Sequence, residues 1–168
     1  MNAAVWFGAA IFFTVGIGPA PFSPEMKDLL GPKNAPIYSG AIAQIFIARY
    51  FHLQLACGAV ALLHLLAEWL YLGRTPRQFW LGLLLGLVAA GLVGGYWFQP
   101  KLKDLHSVKY GLKTPPQARE AADRSFRAWH GISQGLNLLM LCGLAVYLWR
   151  VANPADPARF VNTAKFRS

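Results

Sequence analysis

Charge is scarce in this chain, and acidic charge scarcest: 7 Asp and Glu stand against 16 Lys and Arg in 168 residues, and the four charged types together make 14%. Soluble domains carry roughly 25%. With 55% hydrophobic residues, too little polar surface remains to solvate a globule. Cysteine is almost lacking as well. Cys57 and Cys142 both fall inside apolar runs, with no CxxC pair and no Cys/His set of zinc spacing, so each reads as a buried thiol acting as a small hydrophobe. No phosphate-binding glycine loop, HExxH helix or nucleophile–base–orienter set occurs, which counts against an enzyme. The net charge of +9 invites comparison with nucleic-acid binders. Here, however, the cations lie between and after the apolar runs rather than along one face, as juxtamembrane cations do. The expected partner is the lipid bilayer and not nucleic acid.

What is abundant is apolar length. Four runs stand out, from about Ala3 to Ala20, Tyr50 to Leu72, Phe79 to Phe98, and Trp129 to Trp149. Each approaches the roughly 20 residues that cross a bilayer as helix, and backbone that must pair its own polar groups in lipid leaves helix as the only sensible form. The first run has no basic n-region, and Pro19 and Pro21 stand where cleavage of a signal peptide would fall, so a retained helix is expected. The fold predicted is all-α: a single membrane domain over 1–168, a four-helix bundle with helices at about 3–20, 40–72, 79–98 and 115–150. The second and fourth helices extend beyond the bilayer. For the fourth, Thr114 is the expected N-cap, with Pro115 at the first helical position, Gln117 completing a capping box and Glu120 pairing with Arg124. On the third helix Gly82, Gly86, Ala90 and Gly94 recur every four residues, a spacing that predicts close packing on that face. Tyr96, Trp97 and Phe98 close that helix as an interfacial belt.

Charge also predicts orientation. Ten Lys/Arg fall on the side holding 21–49 and 99–128, and six (Arg74, Arg77, Arg150, Arg159, Lys165 and Arg167) on the side holding the termini and the 73–78 turn. The positive-inside rule then puts the 99–128 connection in the cytoplasm and both termini outside, in an inner membrane of bacterial type.

Two stretches, "YFHLQLACG" (Tyr50 to Gly58) and "WHGISQGLNL" (Trp129 to Leu138), together with "YWFQP" (Tyr96 to Pro100), resemble the family of small four-helix membrane proteins that includes transmembrane protein 205. The most specific element is the His-Gly-x-Ser-x-x-x-Asn run on the last helix. On that pattern His52, His130, Gly131, Ser133 and Asn137 match. The resemblance implies a four-helix membrane bundle and assigns no activity.

Ionisable groups inside membrane helices are costly, which makes them functional candidates. His52 precedes Trp69 by 17 residues and His130 precedes Tyr147 by 17, which places both imidazoles roughly 26 Å from the outer interface. Ser133 and Asn137 share the face of His130. Two imidazoles at one depth suit a transition-metal ion or the axial positions of a haem b, with Ser133 and Asn137 as supporting donors. Arg49, one turn from His52, is placed to bind an anionic lipid head group or to pair with Asp123 or Glu120. His64 and Glu68 are i, i+4 neighbours with Cys57 two turns back, either an interfacial pair tied to each other or to Arg74, or a weak metal or proton site. His106 reads as a solvated loop histidine. Two functions stay open: a non-catalytic binding protein or accessory subunit of a membrane complex, and a haem- or metal-binding or transport protein using His52 and His130.

Overall fold

The computed structural model describes residues 1–73 and 77–153. Arg74, Arg159, Lys165 and Arg167 of the charge count lie outside them. The described residues are helical almost throughout. Helix α1 (Asn2–Phe12) runs on through a wide π-helical turn, Phe13–Ile17, and a 3-10 turn, Ala20–Phe22, into the short α2 (Pro24–Leu30). Helix α3 covers Ala35–Leu72, and α4 (Gln78–Val93) passes through a second π-helical turn, Gly94–Phe98, directly into α5 (Gln99–Tyr110). Helix α6 covers Pro116–Ala152. Four of these stretches are long and apolar enough to cross a membrane, and the chain is a multi-pass membrane protein.

The four spans form a ring in the order α1, α3, α4, α6: α1 packs on α3 and α6, and α4 packs on the same two from the other side. Trp6 of α1 fills the middle, 1% exposed. Around it lie Tyr50, Cys57 and Ala61 of α3, Leu84 and Leu87 of α4, and Met140 and Leu144 of α6. Its indole N–H donates to the Gln54 amide oxygen, so the one polar atom brought into the core by Trp6 is satisfied. At 1.5 Å per residue the 38-residue α3 is on the order of 57 Å long, against a hydrocarbon core of about 30 Å. The excess of α3, α5 and the start of α6 form a helical cap on one side.

Several local expectations give way here. The interval after Phe98 is not a loop, because α5 continues the third span to Tyr110. Thr114 does not cap α6: Pro115 is the N-cap, with no side-chain cap bond, and no Gln117 capping box forms. Instead the Arg119 guanidinium donates to the Gly111 and Leu112 carbonyls at 2.8 and 3.1 Å, tying the connection down from one turn inside the helix. The cap is held by a different ion pair from Glu120–Arg124. Lys109 of α5 reaches Asp123 of α6 at 2.5 Å, and Arg127 reaches the other carboxylate oxygen at 2.6 Å. The Lys109 hydrogen bond holds the Asp123 carboxyl below the usual carboxylate range, and Asp123 in turn pushes the Lys109 ammonium up.

His106, expected in solvent, is instead folded between helices in the cap. Its ring packs on Tyr110 and Phe126, and its Nε2 lies against the bare Cα of Gly40 so closely that any Cβ there would collide with it. That nitrogen is buried with no partner. Burial, followed by the nearby Lys109 charge, lowers the imidazole's pKa. The glycine ladder is also corrected. Gly82 and Gly86 are exposed and a Cβ at either would meet nothing within 4 Å, whereas Gly91 and Gly94 are buried against α3. The packed face of α4 is set by Leu84, Leu87, Gly91 and Gly94, spaced three and four apart, rather than by the strict every-fourth series.

Candidate binding cavity

Both π-helical turns come just before a proline, Pro19 and Pro100. A proline ring inside a helix lacks the N–H and crowds the carbonyl four residues back, and a widened turn at that point relieves the crowding without ending the helix. The sequence carries the cue as Gly18-Pro19 and as Gly94-Gly95 ahead of Pro100. The consequence is spatial. Phe13 and Thr14 of the first wide turn and Gly94 and Phe98 of the second line one cavity of about 320 Å³ in the cap-side half of the bundle. Wide turns of this type occur frequently at functional sites.

The inner end of the cavity is closed by hydrogen bonds that join three helices. The Tyr50 hydroxyl donates to Asn137 Oδ1 at 3.2 Å, and Asn137 Nδ2 donates to Thr14 Oγ1 at 2.9 Å. The Thr14 hydroxyl donates in turn to the Ala10 carbonyl at 2.8 Å. Phe13 stacks on Tyr50, ring centroids 4.0 Å apart. Asn137 is thereby turned inward with both ends of its amide used.

His130, Ser133 and Gln134 line the same cavity further toward the cap, with Gln44 and Gln99 from α3 and α5. Gln134 Nε2 sits 3.2 Å from His130 Nε2. The Ser133 hydroxyl is spent on the His130 carbonyl at 2.8 Å, and Phe126 stacks on the imidazole. Among the described residues no Asp, Glu, Lys or Arg lines the cavity. Its polar groups are neutral amides, hydroxyls and one imidazole set among Phe13, Phe22, Phe51, Phe98 and Met140.

His52 is not part of this arrangement. Tyr50 and Gln54, two residues on either side, are buried toward the core, so His52 falls on the opposite face of α3 and is exposed. Helices α3 and α6 stand diagonally in the ring, and an outward His52 is turned away from His130. A ligand held between the two imidazoles therefore loses one of its ligands. Arg49 is exposed beside His52, and the Asp123 carboxylate offered as its partner is taken by Lys109 and Arg127. His64 and Glu68 do meet, at 3.4 Å, with side chains 73% and 46% exposed. Cys57 is buried two helical turns away, about 10 Å along the axis, too far to share an ion with them. Among the described residues no group of three metal-ligating side chains exists. The wide turns and the glutamines Gln44, Gln99 and Gln134 are the parts of the site that sequence reasoning missed.

No curated protein and no solved structure matches the chain. A family model does match, over residues 1–111, which takes in the first three spans and both wide turns but not the His-Gly-x-Ser-x-x-x-Asn run of α6. On that match the chain belongs to the family described as a domain of unknown function, DUF4149.

Proposed function

We propose that this is a non-catalytic binding protein of the bilayer whose cavity takes an uncharged, largely apolar molecule bearing a small hydrogen-bonding group. The observation that carries this reading is the lining itself. A space of about 320 Å³, walled by aromatics and by two wide turns, presents amides, hydroxyls and one imidazole and, among the described residues, no carboxylate, ammonium or guanidinium, and lies at the small end of the roughly 300–1,000 Å³ of small-molecule sites. An ion entering it would give up its hydration and meet no countercharge, at a cost of several kcal/mol. The likeness to the family of transmembrane protein 205, carried by Tyr50 to Gly58 and Trp129 to Leu138, supports a bundle of this kind and adds no chemistry. The same cavity serves an accessory subunit of a membrane complex equally well. A haem or metal ion bridged by His52 and His130 finds no support in the outward His52.

Photolabelling tests the reading. Purified protein in lipid nanodiscs, irradiated with a diazirine derivative of decanol, is expected to show saturable labelling of peptides from Phe13–Ile17, Gly94–Phe98 and His130–Met140. Unlabelled decanol should compete, and decanoate and decyltrimethylammonium should not. Ala43→Trp places an indole in the space beside a buried lining residue and should abolish the saturable part. Labelling that never saturates, or that spreads over the lipid-facing surface, rules out a binding cavity.

For orientation we propose the cap side as cytoplasmic, supported by its ten Lys/Arg and the positive-inside rule. In a cysteine-free background, Lys103→Cys, exposed on α5, is expected to react with a membrane-impermeant maleimide only after cells are broken. Reaction in intact cells would invert the assignment.

A further inference from the structure

Arg49 and His52 remain without a role in the cavity, and their surroundings give them one. On the outer face of α3, Leu53, Val60, Leu63, Leu66 and Leu70 are exposed, and the run ends at Trp69 and Tyr71, also exposed. Arg49 to Trp69 is 20 residues, about 30 Å of helix and the thickness of a hydrocarbon core. Trp69 thus marks one interface and Arg49 the other. An independent observation fixes the same level. Phe51 packs against Gly94 and Gly95 of the third span, which sets Tyr96 and Trp97, 71% and 56% exposed, beside the Arg49 turn. Exposed Tyr and Trp collect at head-group depth.

At that depth an exposed arginine and an exposed histidine lie three residues apart on one lipid-facing surface. Among the described residues Arg49 makes no ion pair. A guanidinium left unneutralised where the chain meets phosphates is set up for a two-pronged contact with phosphate oxygens, and His52 supplies a further ring N–H within one turn. We infer that Arg49 and His52 form a head-group site for an anionic glycerophospholipid of the cap-side leaflet, holding its phosphodiester while the acyl chains lie along Leu53 and Val60. The site is separate from the cavity, which neither side chain lines, and His52 lies across α3 from Tyr50.

Native mass spectrometry of the full chain from mixed micelles tests it, with dioleoyl phosphatidylglycerol and dioleoyl phosphatidylcholine at equal amounts. The wild-type protein is expected to retain the anionic lipid about fivefold over the zwitterionic one, the factor that roughly one interfacial cation contributes. The double variant Arg49→Gln, His52→Gln should bring that ratio to about one, with an unchanged melting temperature because both side chains are exposed. Lys101→Gln with Lys103→Gln, two other exposed cap-side cations, should leave it in place. An equal loss in that pair would mean diffuse surface charge and would overturn the site, as would an undiminished preference in the Arg49/His52 variant. Displacement of the lipid by millimolar inorganic phosphate would assign the cations to a free anion instead and overturn the lipid assignment.

Discussion

Trp6→Ala is expected to cost the bundle about 3–5 kcal/mol, the range for truncating a buried aromatic in a packed core. Trp6 is 1% exposed and serves the other three spans at once. Its N–H holds the Gln54 amide of α3, its ring meets Tyr147 of α6 edge-on at 6.2 Å, and it shares the Gly58 notch with Val88 of α4. Alanine leaves both a void and an orphaned Gln54 oxygen, since Gln54 is itself 2% exposed. An unpartnered buried acceptor costs a further 1–3 kcal/mol or so. Trp6→Phe keeps an aromatic ring but loses the donor together with part of the indole, so its loss should fall between wild type and Trp6→Ala. Thermal unfolding in detergent, followed by near-ultraviolet circular dichroism, checks both variants. A wild-type midpoint for Trp6→Ala would remove Trp6 from the centre of the packing.

Gly94→Leu should destabilise by about 1–3 kcal/mol or more through overpacking, while Gly86→Leu should be neutral or slightly stabilising, because leucine is the better helix former by several tenths of a kcal/mol. The contrast follows from position alone. A Cβ on Gly94 would collide with the Phe51 ring, and one on Gly86 meets nothing within 4 Å. Gly94 also lines the cavity beside the second wide turn, so the leucine variant should lose saturable photolabelling together with stability. Equal melting temperatures for the two variants would show that the third span does not pack through Gly94.

The number of spans and the membrane environment were legible from the amino-acid sequence, and the reason is local. Whether 20 consecutive residues suit a hydrocarbon layer depends on those residues and on the layer's thickness, not on any neighbour. Asn137 was legible for a related reason, since a wholly polar amide with no interfacial excuse must turn toward other helices. What the sequence left open was azimuth, the side of each helix that faces inward, because in lipid an outward apolar side chain costs nothing and every face of such a span reads alike. Only the four-helix packing decided that His52 faces out and Tyr50 in, that Gly94 rather than Gly86 touches α3, and that His106 is folded against Gly40. The cavity belongs to the same class. Pro19 and Pro100 each disturb regular helix locally, yet no local rule brings the two wide turns before them to face one space. That required α1 and α4 to lie on opposite sides of the ring at one depth, held there by Trp6 at the centre and by the Tyr50–Asn137–Thr14 bonds across it.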